Sequence, residues 1–465
     1  MKKIFFTALF TAIIAITFAN NIQLANVALN GQNTVSQFSL VNFDVSWENS
    51  WRTITNETNY DGAWIFVKFR KKTSSLWQHA TIAQTGFTTP SGSILQPSLD
   101  GKGIWIYHTL PGADFTGNVN YTGAKLQWNY GADGVLNTDS VEIRVFAVEM
   151  VYIPSGTFKV GSGGTETNHF EDGSSGNPYN VNSEAAITVS TTAGNLHYLS
   201  TNGQGGDITG PIPANFPKGF AAFWIMKYEC SQQQYVDFIN NLDLARALNR
   251  NAAFFTGTHP NLISPTPERA MNNLAFTDML AFSDWAGMRP FTELEYEKAC
   301  RGFNQLPVPN EYPWGSTTIS NTTAVTSAGT ATETSNNGNA NYLGTYGLAM
   351  RSGIYATATS TRQTSGGSYY GVMDMGGNIS EVCIGVGSPN GRLFTNTNGD
   401  GNLDVNGDAN TASWPSLSSG FSRRGGYYSD AAIQIQTSDR YYGSNAITPT
   451  TRTVYNGIRL ARTAE

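Results

Sequence analysis

From about Asn20 to Glu149, apolar and polar residues alternate in short runs separated by turn clusters. Phe43-Asp-Val-Ser-Trp47 has strict period two, the mark of a strand with one buried face. Ala63-Trp-Ile-Phe-Val-Lys-Phe69, Gly103-Ile-Trp-Ile-Tyr107, Lys125-Leu-Gln-Trp128 and Val141-Glu-Ile-Arg-Val-Phe146 are further strand candidates. Strands at this spacing, with no convincing helix among them, predict an antiparallel β-sandwich over residues 20–149. Its tryptophans (Trp47, Trp51, Trp64, Trp77, Trp105 and Trp128) have two readings, core packing or a carbohydrate platform, and packing is the commoner use.

At Met150 the pattern changes. Met150 to Gly161 reads as a strand pair joined at a Pro-Ser-Gly turn, and the polar stretch from there to near Pro211 reads as loop. Ala222-Phe-Trp-Ile-Met-Lys-Tyr-Glu229 is a strand. Ser231 then caps a helix from Gln232 to about Leu242 that buries Tyr235, Phe238 and Ile239. A second helix is expected over Thr277–Ala286. A third follows Pro290, with Thr292 as cap, Glu295 closing a capping box, and Tyr296 and Ala299 facing inward. Residues 316–368 read as mostly irregular, and Gly457–Ala461 as the last strand. The fold class is α+β with an all-β N-terminal domain.

Composition narrows the setting. Only 13% of the 465 residues are charged, against roughly 25% in ordinary soluble domains. Gly, Ser, Thr and Asn fill the gap, which suits loop-rich, extracellular β structure. The net charge of −6 and the lack of any basic cluster beyond Arg70-Lys71-Lys72 argue against nucleic acid and anionic membrane surfaces as partners. Lys2 and Lys3, the apolar run Ile4–Phe18 and Thr17-Phe18-Ala19 read as an export signal over residues 1–19. No later stretch reaches the ~18 apolar residues of a membrane span. The three cysteines, Cys230, Cys300 and Cys383, exclude a disulfide framework and sit beside apolar residues, as buried thiols do.

Two stretches carry candidate chemistry. Gly371-Val-Met-Asp-Met-Gly-Gly-Asn-Ile-Ser-Glu381 sets Asp374 and Glu381 on either side of a Gly-Gly-Asn turn. Two carboxylates with carbonyls turned inward by such a bend suit a hard cation such as calcium; an ordinary loop is the alternative. Asn396-Thr-Asn398-Gly-Asp400-Gly401-Asn402-Leu403-Asp404 places oxygen ligands at positions 1, 3, 5 and 9 of an EF-type loop, with Gly401 at 6. Gly407 stands where the closing acid belongs and Asp408 is one late, so calcium and a plain acidic loop are both open readings.

Residues 150–463 resemble the formylglycine-generating enzyme, or sulfatase-modifying-factor, domain, a variant of the C-type lectin fold. The resemblance rests on ordered motifs: Met150-Val-Tyr-Ile-Pro-Ser-Gly-Thr-Phe158, Lys227-Tyr-Glu-Cys-Ser-Gln-Gln-Gln-Tyr235, and Arg289-Pro-Phe-Thr-Glu-Leu-Glu-Tyr-Glu-Lys-Ala-Cys-Arg-Gly302. Tyr312-Pro-Trp-Gly315, Met373-Asp-Met-Gly-Gly-Asn-Ile-Ser-Glu381, Arg424-Gly-Gly426 and Gly457-Ile-Arg459 complete the series. It implies a domain over residues 150–465 with a structural calcium ion held by Asp374, the carbonyls of Gly377 and Ile379, and Glu381. A second calcium site is implied at the Asn341 side chain and the Tyr342 carbonyl, but Ser352 stands where that site expects a carboxylate.

The resemblance also bears on catalysis. The family's oxidase uses two cysteines that bind copper(I), and their positions fall near Asp430 and Ile435, after the last cysteine of this chain. No catalytic residue and no copper are therefore expected. The closest of the five histidines, His169 and His197, are 28 residues apart, unlike the closely spaced pairs of the family's iron-dependent branch. The favoured expectation is a secreted, non-catalytic binding or surface-structural protein, calcium-stabilised, whose partner is an extracellular protein or glycan, with self-association as a further option. Its ligand face would hold Tyr427, Tyr428, Asp430, Arg440, Tyr441 and Tyr442, residue types that dominate binding hot spots. Packing of the last strands is the other use of those tyrosines. The alternative function is an oxidoreductase of the family with non-standard metal chemistry.

Overall fold

The computed structural model describes residues 22–465 apart from 111, 251, 358 and 445–447; the expected export signal lies outside the described residues. The protein is mostly β, with six α-helical segments among the described residues.

The N-terminal strands are β1 (Gln23–Asn33), β2 (Phe38–Arg52), β3 (Tyr60–Lys71), β4 (Gln78–His79), β5 (Ser93–Pro97), β6 (Ile104–His108), β7 (Phe115–Trp128) and β8 (Val141–Ile153). Later come β9 (Phe223–Met226), β10 (Glu381–Ile384), β11 (Phe421–Arg424) and β12 (Ala461–Thr463). The two kinds of apolar pattern have different places. Strand β2 alternates and buries one face, with Val41, Phe43, Val45 and Trp47 inward. In β3 the apolar run is continuous, and Asp61 to Phe69 is buried throughout, because both faces are covered. Ala63, Ile65, Val67 and Phe69 pack under the β1–β2–β7 layer, while Trp64 and Phe66 pack toward the C-terminal half.

Hydrogen bonding joins ten strands in the order β1-β2-β3-β8-β9-β12, with β7 on β2, β4 and β6 on β3, and β5 on β6. Between β2 and β3 the ladder is a single pair, Arg52 with Tyr60, so the sheet turns there and its first part covers the core. The expected boundary between residues 149 and 150 does not separate two bodies. Strand β8 runs through it, pairing along its length with β3 and, over Met150–Ile153, with β9. In place of a separate sandwich, the N-terminal layers share a strand with the C-terminal half.

Side chains follow the backbone across this junction. Trp105 stacks on Trp224 at 4.2 Å, and the Trp64 indole N–H donates to the Ala286 carbonyl at 2.9 Å. Five of the six N-terminal tryptophans are buried, which is core packing; Trp51 alone of the six is half-buried. Beneath Trp51 lies an ionic cluster drawn from both halves: the Lys227 ammonium donates to Asp61 at 3.0 Å and to Glu149 at 3.1 Å. Burial, and after it the pull of Lys227 against the push of Asp61, leaves the Glu149 carboxyl at about 8.

Three helices carry the C-terminal half: α1 (Gln232–Asn240), α2 (Phe276–Trp285) and α3 (Glu293–Arg301). Thr292 forms the expected capping box; Ser231 caps α1 as expected, and Gln234 completes a box there as well. Helix α3 buries all nine of its residues rather than an inward face alone, so its charges must be answered inside the protein. The stretch between Gly161 and Pro211 is also not simply loop. It contains the short strands Phe170–Asp172, Tyr179–Val181 and Leu196–Tyr198, which lend Phe170, Val181, Leu196 and Tyr198 to the core.

Two outcomes follow. A fragment beginning at residue 150 loses the β3–β8 ladder and three of the four rings packed on Trp224, so it should aggregate or melt far below the full chain. A fragment melting near the full-length value would overturn the shared-strand account. Glu149, with a folded-state value raised from 4.5 to about 8, holds its proton better folded than unfolded. Its contribution is complete below about pH 4.5 and fades as pH rises through about 8. Thermal melts from pH 5 to 9 should show stability falling over this window and a shallower fall in Glu149→Gln; an identical slope in the variant would assign the effect elsewhere.

Candidate functional site

The turn before β10 takes left-handed backbone angles at Asp374 (φ 53°), Gly377 (φ 83°) and Asn378 (φ 61°), residue types that tolerate them. Gly377 has a further reason to be glycine, since a Cβ there would meet the Asn341 carbonyl at 2.7 Å. Its N–H donates to the Gly425 carbonyl at 2.8 Å, and the Asn378 N–H to Asn341 O at 2.9 Å. The chain thus brings together segments far apart in sequence: Asn341–Tyr342, Ser352–Gly353, the turn, and the Arg-Gly-Gly stretch after β11.

Three buried carboxylates meet here. Asp374 accepts from the Gly353 N–H at 2.5 Å, and Glu381 pairs with Arg459 at 2.7 Å. The third, Glu229, did not figure among the sequence-derived ligands. It accepts from Ser352 Oγ at 2.6 Å, Asn378 Nδ2 at 2.5 Å and the Ile379 N–H at 3.0 Å. The signal for it was present in the strand-to-helix motif beginning at Lys227, but that motif carried no ligand role. Arg459 is fully buried and also donates to the Met226 and Met373 carbonyls, which fixes its guanidinium against Glu381.

The charges do not balance. Burial, and after it the charges of Asp374 and Glu381, push the Glu229 carboxyl well above the usual carboxylate range. Burial likewise raises Asp374, and pushes Glu381 up to about 7 against the pull of Arg459. Among the described residues no group of three or more His, Cys, Asp or Glu side chains is arranged to hold a metal by itself. The oxygens that remain are of a mixed kind. Asn341 Oδ1 is buried with no hydrogen-bond partner, and among the described residues no hydrogen bond reaches the Gly377 or Ile379 carbonyl. Carboxylate, amide and carbonyl oxygens together are a calcium-type donor set.

The other sequence-derived residues fall in different places. In the Asn396–Asp404 loop, Asn398 Oδ1 accepts from the Thr463 N–H, Asp400 Oδ1 from the Asn402 N–H, and Asp404 Oδ1 from the Asn406 and Asp408 N–H groups. Asn396 is exposed and offers its carbonyl to Thr463. The side chains of Asn398, Asp400 and Asp404 thus serve separate backbone amides, and Asp408, the displaced closing acid, pairs with Arg250 at 2.5 Å. The loop docks instead: Gly401 sits against the His79 ring and accepts from Lys68 Nζ at 2.5 Å.

Of the expected ligand face, Tyr427, Tyr441 and Tyr442 are half-buried and reach the surface. Tyr428 and Asp430 are buried, with Asp430 accepting from the Tyr427 N–H at 3.1 Å. Arg440 does not belong to a face at all. It is 0% exposed, pairs with Glu293 at 2.7 Å and lies over the Phe170 ring at 4.1 Å. Ile435 is likewise in the core, and all three cysteines are buried and free. The tail is nonetheless tied to the turn: the Tyr428 N–H donates to Asn378 O, and the Leu343 and Gly344 N–H groups donate to Asp430 O and Tyr428 O.

Sequence comparison matches residues 142–464 to the family described as the sulfatase-modifying factor enzyme 1-like domain, and the chain belongs to that family. No curated protein matches the chain. Among the described residues, no helix is long and apolar enough to cross a membrane.

The turn's geometry yields one direct test. Gly377→Ala should cost about 1–3 kcal/mol of stability, from a left-handed angle and a clash with backbone. Chemical denaturation of the variant measures it, and a cost under about 0.5 kcal/mol would contradict the tight contact with Asn341.

Proposed function

We propose that this is a secreted, non-catalytic binding or surface-structural protein whose ligand face is held in shape by calcium. The observation that carries the reading is the set of backbone hydrogen bonds between the turn and the tail. Gly377 donates to Gly425, Tyr428 to Asn378, and Gly344 to Tyr428. Whatever orders residues 374–381 therefore orders Tyr427 and its neighbours.

Asp374, Glu381 and the Gly377 and Ile379 carbonyls would hold the ion. Asn341 and the Tyr342 carbonyl would belong to the second site that the family resemblance implies. A divalent cation supplies the positive charge that three buried carboxylates facing one arginine lack. Its role would be structural, stiffening the turn and the tail latched to it. The exposed parts of Tyr427, Tyr441 and Tyr442 would then meet an extracellular protein or glycan. The EF-type reading of Asn396, Asn398, Asp400 and Asp404 draws no support from side chains that serve separate amides, and Arg440 supports the face only from the core. An oxidoreductase with non-standard metal chemistry is the second reading, favoured by family membership itself.

At a free calcium concentration roughly a hundredfold above the dissociation constant, binding to the folded state adds about 2.7 kcal/mol. Added calcium should raise the melting temperature of the chelated wild type by a few degrees and leave Asp374→Ala/Glu381→Ala unmoved. An equal response in the variant would put the ion elsewhere. Metal analysis of the purified protein separates the two functions: calcium alone fits a binding protein, whereas stoichiometric copper or iron would establish the oxidoreductase reading in its place.

A further inference from the structure

A cleft of about 280 Å³ opens where the β2–β3 corner meets the segment leading into the turn. Trp51, Thr53 and Glu57 line it from the N-terminal side; Arg362, Tyr369 and Met373 line it from the C-terminal side. It is separate from the tyrosine face of the tail and exists only because the two halves share a sheet.

Its two aromatic rings are held in place. The Trp51 indole N–H donates to Asn59 Oδ1 at 3.3 Å, and the Lys227 ammonium sits 4.8 Å from the ring centroid. A Cβ on Gly371 (φ 82°) would lie 2.9 Å from the indole, so the ring rests directly on backbone. Asn59 is itself anchored across the junction, donating to Tyr370 O at 2.8 Å. Tyr369 packs edge-on against Tyr370 at 5.0 Å and receives a hydrogen bond from Gln305 at 3.3 Å. Both rings remain half-buried. A tryptophan fixed by this many contacts, yet left partly open, is a preorganised surface, and preorganisation is what lets a shallow cleft bind.

The polar groups indicate what it takes. Arg362 is pinned by donating to the Cys300 and Pro313 carbonyls, at 3.1 and 2.8 Å. Glu57, an acceptor of opposite charge, lines the same cleft. A ligand with net charge is drawn to one of these groups and repelled by the other. A neutral polyol suits both, because each hydroxyl donates and accepts. Half-open aromatic rings together with mixed donors and acceptors match a sugar ring, which has an apolar C–H face and a rim of hydroxyls. We propose that this cleft is a binding site for a neutral saccharide, packed against the open edges of Trp51 and Tyr369 and hydrogen-bonded by Glu57 and Arg362.

Affinity electrophoresis of the full chain through gels containing a mannan, a mixed-linkage β-glucan, a xylan or a galactomannan tests it, with the polyuronate alginate as the charged comparison. At least one neutral polysaccharide should retard the protein, and the affinity should fall roughly tenfold in Trp51→Ala and Tyr369→Ala. Glu57→Gln should weaken it by a smaller factor with an unchanged melting curve. Should Trp51→Ala fail to fold, Tyr369→Ala and Glu57→Gln carry the test. Migration unaffected by every neutral polysaccharide, retardation by alginate alone, or binding that persists in the folded variants would overturn the proposal.

Discussion

Helix α3 has no solvent face, yet it carries Glu293, Glu295 and Glu297, and each needs an arginine inside the protein. Arg424 reaches Glu293 at 3.2 Å and Glu297 at 2.6 Å; Arg440 takes Glu293, Arg301 takes Glu297, and Arg289 takes Glu295. Glu311 pairs with Arg301. Four carboxylates thus face four guanidiniums, all buried. Removing one partner from such a pair typically costs about 3–5 kcal/mol, because the other charge is left in the interior. Strand β11 and the tail beyond it can occupy few other positions, since they bring Arg424 and Arg440 to the helix. The network is the frame on which the turn and the tail hang.

Around the turn the same accounting gives a different result. Glu229, Asp374 and Glu381 are as deeply buried, but Arg459 is the one guanidinium in hydrogen-bond contact among the described residues. The raised carboxyls of this cluster are the sign of a deficit of positive charge. A balanced network needs nothing from outside the chain. An unbalanced one has to gain either protons or a cation, and this is why the turn, rather than the better-paired helix, is the place to look for a ligand ion.

Much of this was legible from local pattern. The cap at Ser231 and the capping box at Thr292 depend on residues at most three apart, and both formed as read. The alternation in β2 and the continuous run in β3 correctly marked strands. The Gly-Gly-Asn turn was visible because left-handed angles select a short list of residue types. Glu229 was harder to see: it lies in a different motif from the turn it serves, and only its hydrogen bonds to Asn378 and Ile379 in the folded chain give it a role. Arg440 was misplaced for a related reason. An arginine beside two tyrosines looks like a surface cluster until the partner that buries it, Glu293, is known to lie beneath.

The sequence by itself determined the strands, the capped helices, the family and the turn that gathers Asp374 and Glu381, because each depends on backbone preference or short-range periodicity. Only the tertiary structure decided where one half of the molecule ends. Strand β8 satisfies its two edges with β3 and β9, and edge pairing is chosen by backbone hydrogen bonds that no side-chain pattern announces. It also decided which charges stand paired. A glutamate and an arginine more than a hundred residues apart, such as Glu293 and Arg424, become partners when burial removes water as the alternative, and that competition exists only in the folded chain.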